Sequence, residues 1–209
     1  MTIARAPLRV PHRRRSLRLR GFDYSREGIY FVTIRVRIDD HAFGDVLEGK
    51  VRLNTAGFAA ANCWLRIAVH FPNVSLDEFI VMPNHLHGIL AIHDAGDTLR
   101  VGAQHAAPLP LPRHAPVGVH ASVGRHASAN RRASGSTTFP GVAPGSLGAI
   151  VRSLKSATTK RINEIRGTPG EAVWQRNYYD RIIRDDRELD RARRYIRSNP
   201  ARWAERGSA

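Results

Sequence analysis

Phe79-Ile80-Val81-Met82-Pro83-Asn84-His85-Leu86-His87-Gly88-Ile89-Leu90-Ala91-Ile92 reads as a strand, a Pro-Asn turn, and a second strand that opens on two histidines flanking a leucine. In an extended chain residues two apart share a face, so His85 and His87 project together while Leu86 enters the opposite layer. Two adjacent imidazoles can begin a metal site. Two ligands alone hold a divalent ion poorly, however, and a half-buried strand also tolerates histidines that have no function. The rest of the chain must supply further ligands, a reaction or a substrate.

Working back from this stretch, residues 28–37 (GIYFVTIRVR) are rich in β-branched and aromatic side chains, with Tyr30, Val32, Ile34 and Val36 on one face of a first strand. Residues 38–53 place turn formers around two short apolar pieces and predict a small hairpin. Asn54 can cap a helix running to about His70, with Phe58, Ala61, Leu65, Ala68 and Val69 at helical spacing, and Pro72 stops it. Cys63 lies in this apolar neighbourhood as a small buried residue. Leu76 to Met82 forms the second strand and His85 to Ile92 the third, an antiparallel pair.

Working forward, residues 95–146 turn to Ala, Gly, Pro, Ser and scattered histidines (His105, His114, His120, His126) with no hydrophobic period. Such a composition cannot bury enough apolar area to offset its ordering entropy, which predicts a flexible insertion. Ser146 then caps a long amphipathic helix carrying Leu147, Ile150, Val151, Leu154, Thr158, Ile162 and Ile165. The other side of that helix presents Arg152, Lys155, Thr159 and Lys160, either to phosphates or to solvent. After a Gly/Pro turn, residues 173–184 read as a loop running into a fourth strand. Asp185 or Asp186 caps a last helix with the stripe Leu189, Ala192 and Ile196, which Asn199-Pro200 ends.

Strand, helix, strand, strand, helix, strand and a final helix fit an α+β fold: a ferredoxin-like antiparallel sheet with helices on one face and the histidine strand central. The expected organisation is a basic flexible arm over 1–20, one domain over 21–94 and 147–205, and the insertion between its halves. On the last helix Tyr195 and Asn199 are one turn apart and share a face at the margin between core and solvent.

Composition narrows the partners. Lys and Arg number 33 against 18 Asp and Glu, a net charge of +15, and seven arginines with no acid lie in residues 1–20. A charge excess of this size, nearly all arginine, attracts polyanions and matches phosphate bidentately, although a GC-rich genome also enriches arginine. Cys63 is the single cysteine, so no intrachain disulfide is possible and cysteine-rich zinc ribbons are excluded. No run reaches the length of a membrane span and the arginine-rich N-terminus has no secretory apolar core, which predicts a cytoplasmic protein.

Three blocks, MPNHLHGI, WQRNYYDRIIRD and YIRSNP, occur in this order, and together they resemble the REP-associated tyrosine transposases of the HUH (His-hydrophobic-His) single-strand DNA transposase superfamily. The resemblance covers about residues 20–94 and 147–203. It implies that His85 and His87 bind a divalent metal, Mg²⁺ or Mn²⁺, that Tyr195 is the nucleophile, and that Asn199 completes the metal site. It also implies single-stranded hairpin DNA as partner and a monomer or homodimer. Attack by the phenol would leave a 5′-phosphotyrosyl link and a free 3′-OH, so no ATP is needed.

Tyr178 and Tyr179 compete with Tyr195 for that role, or belong to the core, or stack on unpaired bases. Glu188, two turns before Tyr195, either approaches the metal or is solvated near the helix start. Arg152, Lys155, Lys160, Arg176, Tyr179 and Arg184 are the candidate DNA contacts. The alternative to a transposase is a catalytically silent, domesticated nucleic-acid-binding protein of the same fold. A metal hydrolase built on His85, His87 and the insertion histidines lacks a general-base carboxylate at a motif spacing.

Overall fold

Alternation in the first strand sorts its side chains as the pattern predicts. In β1 (Gly28–Arg35), Tyr30, Val32 and Ile34 are buried on one face, and Val36 just beyond joins them. The computed structural model describes residues 22–37, 40–94 and 142–207. The basic arm expected over 1–20, and the insertion over 95–146 apart from 142–146, lie outside the described residues, as do His105, His114, His120 and His126.

The expected small hairpin is β2 (Gly44–Leu47) paired with β3 (Lys50–Leu53). It leads into α1 (Thr55–Leu65), capped by Asn54, whose side-chain oxygen accepts the Gly57 amide at 2.9 Å. A short α2 (Ile67–His70) follows, then β4 (Val74–Met82) and β5 (His85–Ile92). Beyond the insertion come α3 (Leu147–Arg166), capped by the Ser146 hydroxyl and stopped at Gly167 in the left-handed region, then β6 (Tyr179–Ile183) and α4 (Asp186–Gly207). No helix among the described residues is long and apolar enough to cross a membrane.

The main sheet has the order β4-β5-β1-β6 with every neighbour antiparallel. This is the ferredoxin-like order, with β5 interior and strands from both sides of the insertion in one sheet. Leu86, Leu90 and Ile92 of β5 join Tyr30, Val32 and Ile34 in the large core, packed under Trp64 of α1 and Ile150, Leu154 and Ile162 of α3. The two helices of the split arrangement therefore share one face.

The last helix departs from the one-face arrangement. Ile196, with Leu189 and Ala192, packs on Phe31, Ile89 and Ile183, which belong to the opposite face. The stripe read from the sequence is the packed one, but periodicity within a helix does not say which side of a sheet it will cover. A third layer results, and it lies over the face that carries His85 and His87.

Two other expectations are corrected. Phe58, Leu65 and Val69 point outward, at 39%, 44% and 68% exposure; the buried face of α1 and α2 is Ala56, Gly57, Ala59, Ala60, Trp64 and Ile67. Small residues let this helix approach the sheet closely while Trp64 supplies the bulk. Asn199-Pro200 also does not end the last helix, which continues to Gly207 with Pro200 inside it. Proline removes one helical N–H and crowds the carbonyl four residues back. The next turn is held by its own contacts, Trp203 against His85 at 5.9 Å between ring centroids and Arg202 over the Tyr195 ring.

Candidate active site

β5 begins where backbone bonds pin the chain from both sides. The Val36 amide donates to the Asn84 carbonyl at 2.9 Å and the Phe43 amide to the Pro83 carbonyl at 3.0 Å, so the turn before His85 is tied to β1 and to the β2–β3 hairpin. His85 and His87 emerge on the same face, and their Nε2 atoms lie 3.0 Å apart. Each ring is oriented through its other nitrogen. His85 Nδ1 is 2.7 Å from the Asn84 side-chain oxygen, and His87 Nδ1 is 2.8 Å from the Thr33 hydroxyl.

The Asn84 amide is itself oriented, because its nitrogen donates to Asp40 at 2.7 Å and only its oxygen remains for His85. His85 Nδ1 therefore carries the proton and Nε2 a bare lone pair. His87 takes the same tautomer when Nδ1–H donates to Thr33. Burial, with Arg35 as a lesser cause, pushes the His85 pKa down to about 4. Burial, with His85 beside it, pushes His87 down to about 3. Both rings are neutral at pH 7, the form in which imidazole binds metal.

α4 brings the second half of the site. The Tyr195 ring stands edge-on to His87 with centroids 5.1 Å apart and edge-on to Phe31 at 6.0 Å, while Phe31 stacks on His87 at 5.4 Å. Tyr195 remains 39% exposed, so part of the residue is open to solvent. The Arg202 guanidinium sits over that ring, 5.7 Å from its centroid, a cation–π contact. Asn199, one turn beyond Tyr195, is buried.

The remaining sequence-predicted residues fall in other places. Tyr179 pairs with Thr33, which pairs with His87, so these side chains form one row across the sheet, with Tyr179 exposed at the outer strand. Tyr178 packs against the large core instead. Glu188 does not reach toward the histidines: it accepts from Arg181 at 2.8 Å and from the Arg184 amide at 3.1 Å, and these bonds hold its carboxyl below the usual range.

Lys155 donates to the Gln175, Asn177 and Arg176 carbonyls at 2.8, 3.0 and 3.4 Å. Its three N–H bonds thus tie α3 to the loop before β6, and burial pushes its pKa down to about 8. Arg152, Lys155, Lys160 and Arg176 all line a groove of about 910 Å³ between α3 and that loop. The groove lies across the sheet from Tyr195. Arg184 is exposed at the end of β6.

Sequence reasoning missed Thr33, Arg35, Asp40, Asn84, Arg202 and Trp203. Arg35 pairs with His85 across the strands and places a guanidinium beside the histidine pair. Period-two alternation puts Thr33 and Arg35 on one face of β1, but only the strand register, which no local pattern reveals, brings them to the histidines. Among the described residues no group of three or more His, Cys, Asp and Glu is gathered, so a third ligand here would be an amide or another oxygen.

No family model matches the chain. An uncharacterized protein of Haemophilus influenzae (strain ATCC 51907 / DSM 11121 / KW20 / Rd) is 34% identical over 196 residues, which cover 92% of this chain and 91% of that protein. Among solved structures the chain is similar to a REP-associated tyrosine transposase bound to a REP hairpin, at 14% identity and a TM-score of 0.47, over 90% of this chain and 74% of that one. It is also similar to a Deinococcus radiodurans R1 protein provisionally described as a transposase, at 14% identity and a TM-score of 0.38, over 86% of this chain and 94% of that one.

Proposed function

This chain belongs to one family with the Haemophilus influenzae protein, and we propose that it is a metal-dependent transposase of single-stranded DNA, with Tyr195 as nucleophile. The observation that carries the reading is the 5.1 Å approach of the Tyr195 ring to His87, whose Nε2 lies 3.0 Å from that of His85. Residues more than a hundred positions apart are thereby brought together. The pair fits a divalent ion: the two Nε2 atoms lie 3.0 Å apart, the separation of adjacent corners of an octahedron with bonds of about 2.1 Å, and would both be bare when metal binds. His85, His87 and Asn199 would hold Mg²⁺ or Mn²⁺.

When bound, the ion neutralises and polarises a scissile phosphate. The chain's own groups do the rest. Tyr195 Oη forms a bond to phosphorus while the bond from phosphorus to the leaving 3′ oxygen breaks. The phenolic proton passes to solvent and the 3′ oxygen takes one up, leaving a 5′-phosphotyrosine and a free 3′-OH. Arg202 over the Tyr195 ring and Arg35 beside His85 offer guanidinium groups to the strand. A later 3′-OH attacking the same phosphorus reverses the chemistry and joins a new strand. Tyr179, exposed at the end of the Thr33–His87 row, offers a platform for an unpaired base.

Incubation with single-stranded hairpin DNA and Mn²⁺, followed by a denaturing gel, should reveal a protein–DNA adduct that chelation by EDTA abolishes. Tight binding with no adduct at any metal concentration would instead make the chain a silent DNA-binding protein of this fold.

The ring partners supply a second expectation. Asn84→Ala frees His85 to turn, and Thr33→Val removes the hydroxyl that holds His87, so each should weaken Mn²⁺ binding by about 10- to 100-fold. Titration calorimetry would measure it, and unchanged affinity in both variants would show that the rings need no such support.

A further inference from the structure

The pairing of β4 with β5 slips by one residue. Leu76 pairs with Leu90 and Phe79 with Gly88, so Asp77 and Glu78 together oppose Ile89. Such a bulge breaks the alternation that would send two successive side chains to opposite faces. Here both carboxylates reach α4. Arg193 grips Asp77 with two bonds, Nε to Oδ1 at 3.0 Å and Nη2 to Oδ2 at 2.5 Å. Arg197 grips Glu78 through Nε at 2.9 Å and through Nη2.

At 100° per residue Arg193 and Arg197 lie on one flank of the Leu189/Ala192/Ile196 stripe, and Tyr195 and Asn199 on the other. The stripe packs on Phe31, Ile89 and Ile183, apolar contacts that resist separation but define rotation about the helix axis poorly. Charge-assisted bonds are directional and define it well: Arg193 meets both oxygens of Asp77, and both Arg197 nitrogens meet Oε1 of Glu78. With a side-chain radius of about 5–6 Å, a roll of roughly 10° moves the Tyr195 ring by about 1 Å. A misplacement of that size can cost about 100-fold in rate.

We infer that Asp77 and Glu78 are positioning residues for Tyr195: the β4 bulge and its two arginine pairs set the roll of α4 and so hold the phenol over His87. The inference rests on the reading of Tyr195 as nucleophile. The pairs do not touch the histidines, so they act on the reaction through the helix alone.

The test is the doubly neutralised Asp77→Asn, Glu78→Gln protein compared with the parent. Hairpin-DNA affinity should stay within about twofold, and adduct formation should slow by about 10- to 100-fold. The nuclear Overhauser contact between the Tyr195 and His87 rings should weaken several-fold. Reversal of both pairs, with Asp77→Arg, Glu78→Arg, Arg193→Asp and Arg197→Glu combined, should restore the contact and most of the rate. A neutralised protein that keeps the ring contact at the parent's intensity, or a rate loss matched by an equal loss of DNA affinity, overturns the inference. A parent that forms no adduct sinks only the nucleophile, because the ring contact still reports whether these pairs place Tyr195.

Discussion

Tyr195→Phe should bind hairpin DNA with the affinity of the parent and form no covalent adduct, a loss of at least about three orders of magnitude in rate. The substitution removes one oxygen and nothing else. Phenylalanine keeps the ring that stands edge-on to His87 and Phe31, and the ring face under Arg202. Tyr195 is 39% exposed and not a core residue, so the loss of one oxygen should not disturb folding. An adduct of undiminished yield would move the nucleophile elsewhere, with exposed Tyr179 the first candidate. Gel shift and denaturing gel on the same sample separate the two quantities.

Gly88→Ala should destabilise the fold strongly through a single methyl group. A Cβ at Gly88 would stand 2.3 and 2.4 Å from two ring carbons of Trp64, nearer than non-bonded carbons approach. Trp64 is fully buried between α1 and the sheet and has nowhere to go. Either the ring or β5 must shift, at a cost of about 3 kcal/mol or more, which is a large fraction of the stability of an ordinary domain. Thermal unfolding should fall by about 6–12 °C for a domain of this size. Trp64→Phe, which cedes part of the ring, should recover some of that loss when combined with Gly88→Ala. Strict additivity would show that the two residues do not meet. Because Gly88 follows His87, the same contact keeps β5 seated under the histidine pair.

The elements that carry chemistry were legible where a short period governs them. His85 and His87 could be placed on one face because a strand alternates every two residues, and Tyr195 and Asn199 because a helix returns after about four. The ferredoxin-like sheet followed from the order of strands and helices along the chain. What could not be read depends on relations between elements. The side of the sheet that α4 covers, the register that brings Thr33 to His87, and the Asp40 carboxylate that orients Asn84 all need the assembled fold.

Composition also misled in identifiable ways. Phe58 and Leu65 have the spacing of a core face, yet the close approach of α1 to the sheet favours the alanine face and turns both outward. Pro200 carries a strong stop signal that packing of Trp203 on His85 overrides. Lys155 looks like a phosphate contact by charge and helix face, but three carbonyls of the following loop take its ammonium. A side chain's charge is visible in a sequence; its nearest acceptor is not.

The central claim is that the Tyr195 hydroxyl and the His85/His87 pair act on one phosphate. The most direct measurement is to form the adduct with Mn²⁺, digest the protein with trypsin and the DNA with nuclease, and locate the residual nucleotide by mass spectrometry. The account predicts a nucleotide on Tyr195, absent from the His85→Ala and His87→Ala proteins. A nucleotide on Tyr178 or Tyr179, or an adduct that persists without the histidines, would contradict it.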